Sequence, residues 1–208
     1  MAIRLPMFPL GSVIFPYSAV PLRVFESRYL ELLANVSAGS NEFGTVLIER
    51  GFEVGGGDAR FSVGTRVRIV GSSDLEGGHK AIVVAGVERI RILEWLPDDP
   101  HPWARIEAIP EVTERFDVTD MIEVASSRLE RVMALASELG ADTSDLDLTV
   151  SQDPVAASYQ LSALTPVTPL DSYTMLAADT VDERLELTAR LLDERIEFIR
   201  AELGGDRS

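Results

Sequence analysis

The spacing of apolar residues changes near residue 110. Before that point they alternate with polar residues or cluster in β-branched runs, at Glu42–Arg50, 60–71 (RFSVGTRVRIVG), 80–93 (KAIVVAGVERIRIL) and 103–109. Glycines at 55–57 and 77–78 separate these runs, and the pattern predicts the short strands of a small barrel or sandwich. One helix interrupts them, because Phe25, Tyr29, Leu32, Leu33 and Val36 recur at helical spacing.

Beyond Pro110 the period changes to a helical one. Val118, Ile122, Ala125, Leu129, Val132, Ala136 and Leu139 mark one face of a first helix, with Asp117 or Thr119 able to cap its start and Gly140 its end. A second helix is expected from Asp153, with Pro154 in its first turn, to about Leu164. Residues 165–169 (TPVTP) read as a rigid connector and 170–178 as a short helix. In the last helix Thr180 and Glu183 suggest a capping box, and Gly204 with Gly205 a stop. Its expected buried stripe is Val181, Leu185, Thr188, Leu192, Ile196, Ile199 and Leu203. The sequence therefore predicts two domains, 1–112 and 113–208.

Charge follows the same division. Net charge is −2 for residues 1–110 and −13 for 111–208, so phosphate backbones and anionic membranes are disfavoured partners. The chain has no cysteine, which removes disulfides, thiolate nucleophiles and thiolate metal sites, and fits a reducing, cytoplasmic setting. The apolar opening is punctuated by Pro6, Pro9, Pro16 and Pro21, which break any signal or membrane helix, so it is expected to be folded structure.

A search for chemistry returns little. There is no GxxxxGK[ST] loop and no GxSxG elbow, and Lys80, the only lysine, has no serine motif beside it. His79 and His101 lie in turn-like contexts without metal-ligand spacing and read as exposed loop histidines. Gly55 to Asp58 reads as a hairpin loop. Asp142, Asp145 and Asp147 lack the glycine and terminal glutamate of a calcium loop and read as solvated. No cofactor or metal is expected, and no catalytic role.

The opening resembles a known family. Phe8-Pro9-Leu10, Val13-x-Phe15-Pro16, Pro21-Leu22 and Phe25-Glu26-x-Arg28-Tyr29, followed by Phe43-Gly44, Gly64-Thr65 and the strand from Gly86 through Arg89 to Ile92, are similar to the Lon protease N-terminal, or substrate-binding, domain. The FExRY block looks most like its stand-alone members, and the ATPase and Ser-Lys peptidase domains of the protease are not encoded in these residues. The resemblance implies an α+β fold, a PUA-like pseudo-β-barrel of six strands followed by an α-helical bundle. It also implies a non-catalytic module that binds unfolded or extended polypeptide, with a protease or other protein as possible partner. An RNA-interacting PUA-like module is the alternative. Among the motif residues, Pro9, Pro16 and Pro21 suit edge strands and turns, and Phe15, Phe25 and Tyr29 read as core. Arg28 and Gly86 are motif positions, either structural or groove-lining. Glu26 and Arg89 read as a partly buried bridge, with a groove-facing role as the other reading.

Overall fold

Strand β1 (Ile3–Leu10) carries a nearly unbroken apolar run because both of its faces are covered. Leu5 and Met7 join Val46, Ile90, Ala104 and Ile106 in one cluster, while Phe8 and Leu10 join Tyr29, Leu32, Phe43 and Val67 in another. The two-residue period of a strand separates the sets. Its first half pairs antiparallel with β6 (Trp103–Ala108) and its second half parallel with β3 (Glu42–Arg50). Pro6 and Pro9 thus lie where the ladder runs on one side only, which is where proline is tolerated.

The computed structural model describes residues 2–50, 59–115, 117–143 and 147–205, in two units, Met1–Pro110 and Glu111–Ser208. In the first unit the strand order is β2–β5–β4–β3–β1–β6, and β5 (Lys80–Leu96) also pairs with β6. Strands β5, β4 (Ala59–Asp74), β3, β1 and β6 therefore close into a ring, and β2 (Ala19–Val24) flanks it on β5. Helix α1 (Ser27–Ser37) buries Tyr29, Leu32, Leu33 and Val36. The observed strands extend the sequence reading by recruiting two proline-bearing segments, β1 and β2, for which alternation alone gave no strand.

A turn across residues 15–18 joins β1 to β2 and rests on β5. Ser18 N–H donates to Phe15 O at 3.3 Å, Tyr17 N–H to Gly86 O at 3.0 Å, and Gly86 N–H to Ser18 O at 2.9 Å. Tyr17 has φ 59°, so Pro16 and Tyr17 occupy the central positions of a type II turn that runs into a β-bulge. A Cβ at Gly86 would overlap the Phe15 carbonyl and crowd Pro16. Only glycine lets the two backbones approach this closely.

The second unit contains α2 (Thr119–Glu138), α3 (Pro154–Leu164), α4 (Pro169–Ala177) and α5 (Val181–Gly205). The predicted stripe of α5 is buried from Val181 to Ile199 and half-buried at Leu203, and Leu129, Val132 and Leu161 join it. Asp153 caps α3 by accepting from Ala156 N–H at 2.8 Å. Asp117 accepts from the Thr119 hydroxyl and N–H before α2, and these bonds hold its carboxyl below the usual carboxylate range. One expectation is corrected. The reciprocal capping box lies at Thr168 and Asp171, on α4. At α5, Glu183 N–H donates to Thr180 Oγ1, but the Glu183 carboxylate reaches back to Asp179 N–H instead of Thr180 N–H. Helix α5 runs from Val181 through Gly205, where the described residues end. The loop at 51–58 and part of the Asp142–Asp147 segment lie outside the described residues.

Polar side chains also cross the helical core. Arg184 is fully buried and donates to Ser158 Oγ at 2.8 Å, Met175 O at 3.3 Å and Glu111 Oε2 at 3.1 Å. Its guanidinium lies 3.7 Å from the ring centroid of Tyr159, whose hydroxyl donates to Glu111 Oε1 at 2.6 Å. A buried cation with this many partners is costly to disrupt from one side.

Two stability measurements follow. Gly86→Ala should destabilise the protein by about 2 kcal/mol or more in urea unfolding, whereas Gly39→Ala, where a Cβ meets only ordinary contact, should stay within about 0.5 kcal/mol. Arg184→Ala should cost about 3 kcal/mol because it takes the buried cation from the Glu111 carboxylate and a charged donor from Ser158 Oγ, against almost nothing for exposed Arg200→Ala.

Candidate functional site on the barrel

Strand β2 ends at Val24, and Glu26 takes the position before α1 with extended φ/ψ. Its carbonyl accepts from Tyr29 N–H and Leu30 N–H, both at 3.0 Å. The Glu26 carboxylate does not cap the helix. It turns to Arg28 Nε at 3.0 Å, and the Arg28 guanidinium lies 4.5 Å from the Tyr29 ring centroid. Between Val24 and Glu26 the chain leaves Phe25 at the surface, 53% exposed.

Phe25 stands between two concavities. One, of about 270 Å³, has walls from Phe8, Leu10, Leu22 and Tyr29, with Pro21 and Glu26 at its margin. The other, of about 410 Å³, is bounded by Arg23, Leu75, Glu76 and His79. The Phe25 and His79 rings meet edge to face, with centroids 6.3 Å apart. Beside them, among the described residues, β2 pairs only with β5. Because Ser18 O faces β5, the alternation of antiparallel pairing turns the backbone groups of Ala19, Pro21 and Arg23 outward.

The motif residues separate into groups. Pro21, Phe25, Glu26 and Tyr29 meet at the first concavity, and Arg28 holds Glu26. Phe15, Pro16 and Gly86 meet at the turn on β5, where Phe15 and Pro16 are buried. Pro9 is buried in β1 opposite Val46. Arg89 is 1% exposed in β5, and its carbonyl accepts from Ile109 N–H. Phe25 is therefore a surface residue where helical spacing predicted core, because α1 starts two residues later. The Glu26–Arg89 bridge is replaced by the local Glu26–Arg28 pair. Among the described residues, no three His, Cys, Asp or Glu side chains converge as a metal site.

These features sit on a fold whose relatives are known. A family model, the ATP-dependent protease La (LON) substrate-binding domain, matches residues 4–194. The chain belongs to the Lon substrate-binding domain family. It is 27% identical over 200 residues to Lon protease of Anaeromyxobacter dehalogenans (strain 2CP-C), covering 94% of this chain and 24% of that protein. For Lon protease of Escherichia coli (strain K12) the values are 24% over 206 residues, 96% and 26%. The chain thus spans about a quarter of the length of the Lon proteases it matches. Two solved structures share the α+β fold. The Lon N-terminal domain protein of Xanthomonas campestris has TM-score 0.64 at 24% identity, covering 88% of this chain and 95% of that one. The N-terminal domain of Mycobacterium avium complex Lon protease has TM-score 0.66 at 17% identity, covering 92% and 98%. No helix among the described residues of this Lon-family chain is long and apolar enough to cross a membrane.

His101 also departs from the exposed loop residue that the sequence suggested. It is fully buried, with its ring 5.1 Å from that of Trp103. Pro102 O, 3.2 Å from Nδ1, can only accept, so Nδ1 carries the proton and Nε2 faces the Asn35 amide at 3.4 Å. Burial holds its pKa below the ordinary value of 6.5. A histidine kept neutral in the folded state stabilises fully above that value. The contribution is lost progressively as pH falls from 6.5 toward the lowered folded value, because the unfolded chain binds the proton first. Urea unfolding at about pH 7.5 and about pH 5.5 should show a larger loss on acidification for the native chain than for His101→Gln. Equal losses would remove His101 as a cause.

Proposed function

We propose that this Lon-family chain is a non-catalytic recognition module that captures apolar segments of unfolded or extended polypeptide on the ledge formed by Phe25. The observation that carries this reading is an exposed aromatic ring set between two concavities, inside the FExRY motif. An exposed aromatic ring beside a pocket offers a large apolar contact area, and aromatic anchors of this kind carry much of the energy of recognition interfaces. Apolar side chains of a bound segment would enter the concavity walled by Leu22 and Tyr29 and lie against Phe25.

The outer edge of β2 supports side-chain capture more than strand addition. Pro21 has no N–H to offer an incoming strand, and its exposed position blunts the edge. Arg23, Glu26 and Arg28 give the ledge mixed charge, so sequence preference should follow apolar content. Cytoplasmic work on unfolded proteins, beside or within reach of a protease, is consistent with the cysteine-free composition.

Fluorescence anisotropy with labelled unfolded peptides rich in Phe, Leu and Tyr tests the reading. Phe25→Ala should weaken binding about tenfold, a loss of about 1.4 kcal/mol. Because the ring is exposed, stability should change by less than about 0.5 kcal/mol. The proposal fails if no peptide binds better than about millimolar, or if Phe25→Ala binds as tightly as the native chain.

A further inference from the structure

The geometry points to a second interaction surface, on the helical unit: the groove between α2 and the first half of α5 docks a cationic amphipathic helix of a partner protein. Met121 and Val124 on α2 face Leu185 and Ala189 on α5 across an open cavity of about 340 Å³. Val124 is 45% exposed, although its neighbour Ala125 is completely buried in the bundle core. The apolar surface of α2 is thus wider than the core it packs against, and the excess faces this groove. From Asp120 to Arg128 it runs about 12 Å, roughly two helical turns.

The chemistry of the walls selects the occupant's conformation. Apart from the first turn of α2 at Asp120, both walls are helix interior, so their backbone donors and acceptors are bonded within their own helices. An extended segment laid on this apolar floor would lose water from its peptide groups and gain no backbone partner. A helix brings its hydrogen bonds with it and offers side chains at matching spacing.

Charge selects its sign. The groove's two cations are already engaged, Arg128 with Asp193 at 2.8 Å and Arg190 with Glu194 at 2.7 Å. Glu186 on the rim has no ion pair among the described residues, and Asp120 has only a long contact with exposed Arg115 at 3.6 Å. The surrounding segment, 111–208, carries −13. An approaching basic helix is attracted both by the rim and by the field of the whole unit. A second copy of this chain would bring the same negative charge, which argues against self-association here.

A labelled Leu/Lys amphipathic peptide of about 14 residues, four helical turns, titrated into the 208-residue chain provides the test, with a Leu/Glu peptide of the same pattern as control. The Lys peptide should bind, weaken as salt is added, and gain helicity by circular dichroism, while the Glu peptide should not bind. Val124→Asp and Glu186→Lys should each weaken binding about tenfold. Both residues are exposed, and thermal unfolding of each variant checks that the bundle is intact. Phe25→Ala should leave this affinity unchanged, which separates the groove from the ledge on the barrel. Equal affinity of native chain, Val124→Asp and Glu186→Lys overturns the inference by reducing the attraction to diffuse charge. Absence of binding by the Lys peptide at about millimolar concentration overturns it as well. So does a concentration-dependent dimer that Val124→Asp dissolves, since the face would then belong to a second copy.

Discussion

Strand β5 must serve three neighbours, and the requirement that two backbones meet at Gly86 makes this possible. Residues 80–85 pair with β2, residues 90–96 pair with β6, and β4 runs alongside from 80 to 91. Where β5 leaves one partner for another, the turn at 15–18 fills the gap with its own peptide groups. A side chain at Gly86 would push that turn outward and separate β2 from the ring. Gly64 meets the same constraint on β4, where a Cβ would overlap the Thr45 carbonyl. Ring closure therefore depends on two absent side chains as much as on the apolar core that lines it.

The same turn sets where β2 begins, and β2 sets where Phe25 emerges. Tyr17 occupies a left-handed conformation that glycine adopts freely and that costs other residues about 1–2 kcal/mol. The turn's three backbone bonds and the Ser18 hydroxyl, which donates to Phe15 O at 2.6 Å, hold it in place. Six residues of strand follow, and Glu26 then starts α1 in a fixed direction through its carbonyl. The aromatic ledge is thus positioned by backbone geometry on both sides, with little freedom to retract.

How much of this was legible depended on how local the cause was. Alternation exposed β3 to β6, because their pattern reflects one covered face, and helical spacing placed α2 and α5 within a residue or two of their observed starts. Strands β1 and β2 were hidden by prolines, whose acceptability depends on which side of the strand is paired. Phe25 shared helical spacing with Tyr29 and Leu32, and nothing in the spacing showed that the helix starts after it. His101 is buried by Asn35 and Trp103, and no local pattern marks that contact. The Arg184 network had one faint signal, an arginine between Val181, Leu185 and Thr188 on the apolar face of α5. Its partners Ser158 and Glu111 are 26 and 73 residues away, so only the fold brings them together.

Several guanidinium groups lie over rings: Arg4 on Trp103, Arg28 on Tyr29, Arg60 on Trp95 and Arg184 on Tyr159, at 3.7 to 4.5 Å. The chain's near-exclusive use of arginine over lysine fits this, since a planar cation can stack where an ammonium cannot. Dissolved ions consequently meet a different molecule from the one its residue count describes. Screening at 0.1 M salt acts over about 10 Å, too long to loosen ring contacts this close but short enough to quiet the mutual repulsion of surface carboxylates. Ionic strength should therefore act on this protein mainly as a relief of crowding among like charges, with dissolved cations as the ions that gather around it.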